Sequence, residues 1–258
     1  TGLGGDELFA GYPHFRRHQL ADRLRRRLPV PGPLWSALRL LPERFRHNLM
    51  LPALSEAERL ATLRCRMGDR ARRRALDDAF LEALTALPTT PPAPGLQAAA
   101  DPRWTDVVAR LSAAEVRGYL VNTLLRDGDA MSMAHGLELR PILLDHEVVA
   151  FALALPSALK IRHGRGKAVF SAALADLLPP AVLSRPKRGF ELPLHAWLAG
   201  PLRERAEAAF QSPVAAQLLN PSWRAAACRR LRRPAPRDLD LWPCFVLLEW
   251  LQRQRLTL

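Results

Sequence analysis

A chain of 258 residues with 48% apolar side chains can bury a core, as one large domain or two small ones. Its net charge of +13 comes mainly from arginine, in runs at 23–27, 70–74 and 229–233. These runs lack interleaved aromatics and no nucleic-acid motif accompanies them, so they read as solvated helix faces rather than a specific nucleic-acid interface.

Three cysteines, Cys65, Cys228 and Cys244, show no Cys-x-x-Cys or Cys/His spacing. Neither a disulfide framework nor a zinc site is expected, and a reducing cytoplasm fits. No basic-then-apolar leader is found. No apolar run reaches the ~18 residues of a membrane span. The stretch 141–159 is broken by Asp145, His146 and Glu147.

In chain order, Leu, Ala and Arg predict a mainly helical protein. Residues 54–84 carry apolar side chains at helical spacing, with Ser55 and Glu58 as a capping box. The proline-rich stretch 88–95 predicts a surface loop. A second helix is expected from Ser112, capped with Glu115, with Leu120, Leu124 and Leu125 facing the core. Gly128 is expected to bend it beside Asp127 and Asp129.

An extended piece before Pro141 should follow, because the residue before proline is pushed out of the helical region. Helices are then expected from Asp145 to Pro156, over about 167–178, and over 194–210. The last, 241 onward, has Pro243 early and Arg253 late, as helix ends prefer.

Three polar, glycine-bearing stretches could carry chemistry. In Thr-Gly-Leu-Gly-Gly-Asp-Glu, residues 1–7, consecutive glycines allow close approach to a ligand, and Asp6 could hold a Mg²⁺ that bridges phosphates. The plainer reading is a tight turn in which Asp6 caps a helix. In Arg-Pro-Lys-Arg-Gly-Phe, residues 185–190, Lys187 could neutralise developing charge on a phosphate or oxyanion; the alternative is a basic surface loop. In residues 126–140, Asp127, Asp129, His135, Glu138 and Arg140 could form a site or an internal salt-bridge network, Glu138 with Arg140 for instance. His135 could equally be a buried core histidine.

In this order and spacing the three stretches resemble the asparagine synthase family, over residues 1 to about 202. The likeness is densest in TGLGGDELFAGYPHF, in EVRGYLVNTLLRDGDAMSMAHGLELRPILLD and in GRGKAVFSAALADLLPPAVLSRPKRGF. The resemblance implies the later, helical part of an α/β adenine-nucleotide-binding synthetase domain of the PP-loop type, mainly α in this chain. It also implies ATP and Mg²⁺ as cofactors, activation of a carboxylate as an acyl-adenylate, and displacement of AMP by an amine, usually ammonia from a glutaminase domain.

Residue by residue, it implies that Thr1 and Gly2 contact the nucleotide. Asp6 would hold Mg²⁺ and pyrophosphate, and Lys187 would stabilise charge in adenylation or amide formation. In asparagine synthetases a glutamate commonly stands where this chain has Leu3, and leucine can be neither base nor ligand. The acceptor is therefore open between aspartate and a peptide or sugar-acid carboxylate; a non-catalytic partner subunit is a further alternative.

The family's Ser-Gly-Gly-x-Asp-Ser loop and its glutaminase domain are not found in this sequence. The chain is thus expected to begin inside a domain, just past a strand, and not to turn over ATP alone. No membrane or specific nucleic-acid partner is expected; a homodimer is compatible.

Overall fold

The computed structural model describes residues 1–27, 59–60, 63–64, 67–86, 94–185, 189, 192–233 and 240–255. In chain order the described helices are α1 (Gly5–Leu8), α2 (Pro13–Arg27), α3 (Asp69–Ala75), α4 (Asp78–Ala86), α5 (Pro94–Ala99) and α6 (Val107–Glu115). A π-helix (Val116–Leu125) leads into α7 (Arg126–Met133), and a 3-10 turn (Ile142–Leu144) precedes α8 (His146–Ala154). Then come α9 (Ser157–Lys160), α10 (Ala168–Ala173), α11 (Pro180–Ser184), α12 (Leu194–Ala199) and α13 (Arg203–Gln211). The series ends with α14 (Pro213–Leu218), α15 (Pro221–Leu231) and α16 (Leu241–Arg253). Among the described residues β pairing is limited to two isolated bridges, Leu76 with Leu219 and Arg162 with Arg165. The mainly helical expectation is met. No described helix is long and apolar enough to cross a membrane.

The chain divides into two compact units. The first comprises Thr1–Leu63 and Pro91–Lys187, the second Arg64–Thr90 and Arg188–Leu258. In the second unit α16 buries Leu241, Cys244, Phe245, Leu248 and Leu251 in one apolar cluster with residues of α13, α14 and α15. Ser212 and Asn220 cap α14 and α15 through their side-chain oxygens. Asp240 ties α15 to the start of α16, accepting from Trp223 Nε1 at 3.1 Å and from Arg230 at 2.5 Å.

The first unit packs α2, α5 and α6 around Phe15, Val107, Val108 and Leu111. A second cluster joins Leu8 and Phe9 to Ala152, with Phe170 packed against it. Asp106 organises the start of α6. Its Oδ1 accepts from the Val108 and Ala109 amides at 2.8 and 3.0 Å, and the Ser157 hydroxyl donates to both carboxylate oxygens at 2.6 and 2.7 Å. Nearby, Lys160 is fully buried, and its Nζ has no hydrogen-bond partner among the described residues. Burial pulls its ammonium down to about 8, against the opposing pull of the Asp106 carboxylate.

Several boundaries differ from the sequence reading. The expected start at Ser112 is overridden by Asp106, because the apolar run from Val107 to Leu111 needs a helix to bury it; Ser112 is fully buried in mid-helix. Of the three leucines, Leu120 is buried and Leu124 and Leu125 are half-buried. No bend occurs at Gly128, through which α7 runs unbroken. The helix foreseen over 54–84 is interrupted at Leu76, which turns extended to pair with Leu219; its capping box, Ser55 and Glu58, lies outside the described residues.

Residues 87–93 of the proline-rich stretch are likewise undescribed, but α5 already starts at Pro94, where a missing donor costs nothing. Gly200 splits the 194–210 helix, and the 167–178 helix contracts to α10. As expected, Asp145 caps α8 by accepting from the Glu147 amide; residues 137–140 are not helical. Cys228 and Cys244 are free thiols. Cys65 lies outside the described residues.

Candidate active site

The opening turn is built by packing. Gly4 has φ 93°, and a Cβ there would lie 2.3 Å from Leu144 Cδ2. Only glycine supplies both that conformation and that clearance. The turn feeds α1, a single helical turn whose N-cap residue is Gly4. The N-cap position falls on Gly4 and Asp6 stands inside the first turn, so the plainer reading of Asp6 as the cap is corrected.

Its carboxylate instead meets Lys167, with Nζ 2.9 Å from Oδ1. Lys167 is held in the left-handed region at φ 57°, and its amide donates to the Phe9 carbonyl at 2.8 Å. Phe170, one helical turn on, stacks on Phe9 with ring centroids 4.9 Å apart. Gly11 completes the cradle: a Cβ there would fall 2.0 Å from Asp6 Oδ1 and 2.5 Å from Lys167 Cε. The two charged groups remain 20% and 31% exposed, which leaves them open to a ligand.

The turn is braced from behind. Glu7, almost fully buried, accepts from the Tyr12 hydroxyl at 2.5 Å. The Tyr12 ring stacks on His14 at 5.3 Å, and His14 Nε2 lies 2.9 Å from Glu115 Oε1, where α6 passes into the π-helix. At the front, the Thr1 nitrogen donates to the Arg140 carbonyl at 3.0 Å.

Of the residues singled out in the sequence, Thr1 and Gly2 are exposed, five and four positions before Asp6. Leu3 is half-buried, and its Cδ1 lies 3.7 Å from where a Gly128 Cβ would stand. Lys187 lies outside the described residues, as do Pro186 and Arg188. Asp127, Asp129 and His135 are exposed, so His135 is not a core histidine. Glu138 and Arg140 form an exposed pair at 3.1 Å, the internal salt bridge foreseen as one reading. Lys167 was not foreseen. Its only local signal is the Gly-Arg-Gly-Lys spelling, a turn signal that says nothing of a partner far upstream.

No group of three or more potential metal ligands occurs among the described residues. Mg²⁺ does not require one. It is commonly held by one or two carboxylates plus substrate phosphates. A single carboxylate beside an ammonium in an open glycine cradle fits a metal-bound phosphate.

Comparison with known proteins decides the family. The sequence profile described as asparagine synthase matches residues 1–252. The chain belongs to the asparagine synthase family. Within it, the chain is 33% identical over 259 aligned positions to a Mycobacterium tuberculosis H37Rv protein named "Putative asparagine synthetase [glutamine-hydrolyzing]", covering 97% of this chain and 38% of that relative.

"Asparagine synthetase [glutamine-hydrolyzing] 1" of Bacillus subtilis is 31% identical over 97 residues, 38% of this chain and 15% of the relative. "Carboxyethyl-arginine beta-lactam-synthase" of Streptomyces clavuligerus is 49% identical over 45 residues, 17% of this chain and 9% of the relative. No solved structure matches. This family member thus spans under two-fifths of the length of the mycobacterial relatives it matches.

Proposed function

We propose that this chain forms the later, helical part of an ATP-dependent carboxylate–amine ligase, completed by an α/β portion of the PP-loop type. The observation that carries the reading is the Asp6–Lys167 pair, 2.9 Å apart on the glycine turn. Two facts support the larger assembly. The mycobacterial relatives are much longer than this chain. In addition, α7 buries no residue, while Met131, Met133, Leu137 and Ile142 present apolar surface to solvent.

In the proposed reaction the acceptor carboxylate attacks the α-phosphorus of ATP. A carbon–oxygen–phosphorus linkage forms and pyrophosphate leaves. An amine then attacks the acyl carbon, AMP departs with the bonding electrons, and the amine loses a proton. Mg²⁺, when bound, would screen the charge on the phosphates, and Asp6 is the residue that would hold it.

Lys167 exchanges its contact with Asp6 for a phosphate oxygen, placing a positive charge where the pyrophosphate gains negative charge. Thr1 and Gly2 line the nucleotide side, and Lys187 adds a second cation during adenylation or amide formation. Glu7, Tyr12 and Glu115 hold the turn so that Asp6 need not reorganise. Ammonia would come from a glutaminase domain, a reading supported by relatives named as glutamine-hydrolyzing. Leu3 favours a second reading of the acceptor, a peptide or sugar-acid carboxylate in place of aspartate. The Streptomyces clavuligerus match, to a protein named for a different product, supports it.

The test is hydroxylamine trapping in the polypeptide extended upstream to the length of its relatives. An acyl-adenylate gives a hydroxamate and AMP in equal amounts with the correct acceptor. Release of ADP and phosphate instead would overturn the adenylation step.

A further inference from the structure

The hairpin that delivers Lys167 is closed by reciprocal bonds between Arg162 and Arg165, at 3.0 and 2.8 Å, over left-handed His163 and Gly164. Arg16 of α2 donates to the Gly164 carbonyl at 2.5 Å, so the hairpin sits at the head of α2. From Arg16, helical spacing carries Leu20, Arg23 and Arg27 along the same face, a ridge about 16 Å long. All of these side chains are exposed, Leu20 by 58%.

None of the five arginines forms an ion pair with a carboxylate among the described residues. Arg16 and Arg165 bond only backbone carbonyls, at Gly164 and Leu183. The acid on α2, Asp22, is turned to Arg26 and Arg59. Five guanidinium groups with no carboxylate partner among the described residues, and an imidazole, stand beside the exposed leucines Leu20 and Leu24 and carry self-repulsion that an anionic partner would relieve. Among the described residues the ridge offers no exposed Phe, Tyr or Trp on which a base could stack, which favours a peptide over a nucleic acid.

We propose that this ridge docks an acidic peptide segment with an apolar residue over Leu20, and that the segment belongs to the molecule carrying the acceptor carboxylate. The second half of the proposal rests on the ligase reading of Asp6 and Lys167. The ridge ends two residues before Lys167, so a peptide lying along it leads to the reacting pair.

The probe is a fluorescein-labelled peptide of repeated Glu-Glu-Leu, titrated with the chain by fluorescence anisotropy without ATP at about 0.1 M salt. Its Gln-Gln-Leu counterpart and a short oligothymidylate run in parallel. The account predicts binding of the acidic peptide alone. The triple change Arg23→Gln, Arg27→Gln, Arg162→Gln should weaken it roughly tenfold or more, since each lost exposed pair is worth ~0.5 kcal/mol.

Leu20→Ser should also weaken it. An equal charge change in the other unit, Arg203→Gln, Arg229→Gln, Arg233→Gln, should leave it within about twofold. Equal loss in both triple variants, no binding of the acidic peptide, or ridge-dependent binding of the oligothymidylate instead would each overturn the proposal. Because ATP is absent, those outcomes are separate from the hydroxamate test of the ligase reading.

Discussion

Lys160 is a buried cation that weakens the fold around it, and Lys160→Met measures by how much. Its ammonium falls from an ordinary 10.5 to about 8 because burial strips its water. At about 1.4 kcal/mol for each tenfold change in proton affinity, the charged form costs the folded first unit about 3 kcal/mol. The folded value lies below the unfolded one, so the full cost applies below pH 8. It is relieved as pH rises through 10.5, above which both states are neutral. Methionine has similar length and no charge, and it adapts to irregular space.

The variant should therefore be more stable than the parent at pH 7 by about 2–3 kcal/mol, with the gap narrowing above pH 8 and closing only above about pH 10.5. Native-state hydrogen exchange of peptides from α6 and α9 across a urea series reads the first unit alone. The reasoning fails if Lys160→Met destabilises those peptides at pH 7, or if the gap does not change with pH.

Gly4→Ala should destabilise the first unit by about 2–4 kcal/mol, from left-handed strain plus overlap with Leu144. The companion change Leu144→Ala should recover part of that loss in the same exchange experiment; a Gly4→Ala protein within about 0.5 kcal/mol of the parent would contradict the packing explanation. Burial pushes the Cys244 thiol up to about 12 and half-burial raises Cys228 as well. Neither should react appreciably with iodoacetamide in the native protein at pH 8, whereas both should in urea; rapid native labelling of Cys244 would show that α16 opens.

Signals confined to a few residues were legible in the sequence. Asp145 at the start of α8, Pro141 after a non-helical segment, and Pro243 near the start of α16 each act through local backbone chemistry. Competition between two nearby caps was not legible. Ser112 with Glu115 satisfies the capping pattern, yet Asp106 wins because it also gathers Ser157. Nor does any pattern announce a π-helix of ten residues, since apolar residues there suit a helix of either pitch.

At the site, Asp6 stood out because glycines precede it. Lys167 did not, because its meaning comes from a tertiary contact with Phe9 and Asp6. The glycines themselves carry a double meaning: Gly4 answers to Leu144, and Gly11 to the ion pair.

The central claim is that Asp6 and Lys167 hold the phosphates that leave as pyrophosphate. Exchange of labelled pyrophosphate into ATP, in the polypeptide extended to the length of its relatives, tests it most directly. Asp6→Asn should abolish the response to Mg²⁺, and Lys167→Met should slow exchange about a hundredfold or more, with the fold intact by circular dichroism. Exchange at the parental rate in both variants would contradict the account.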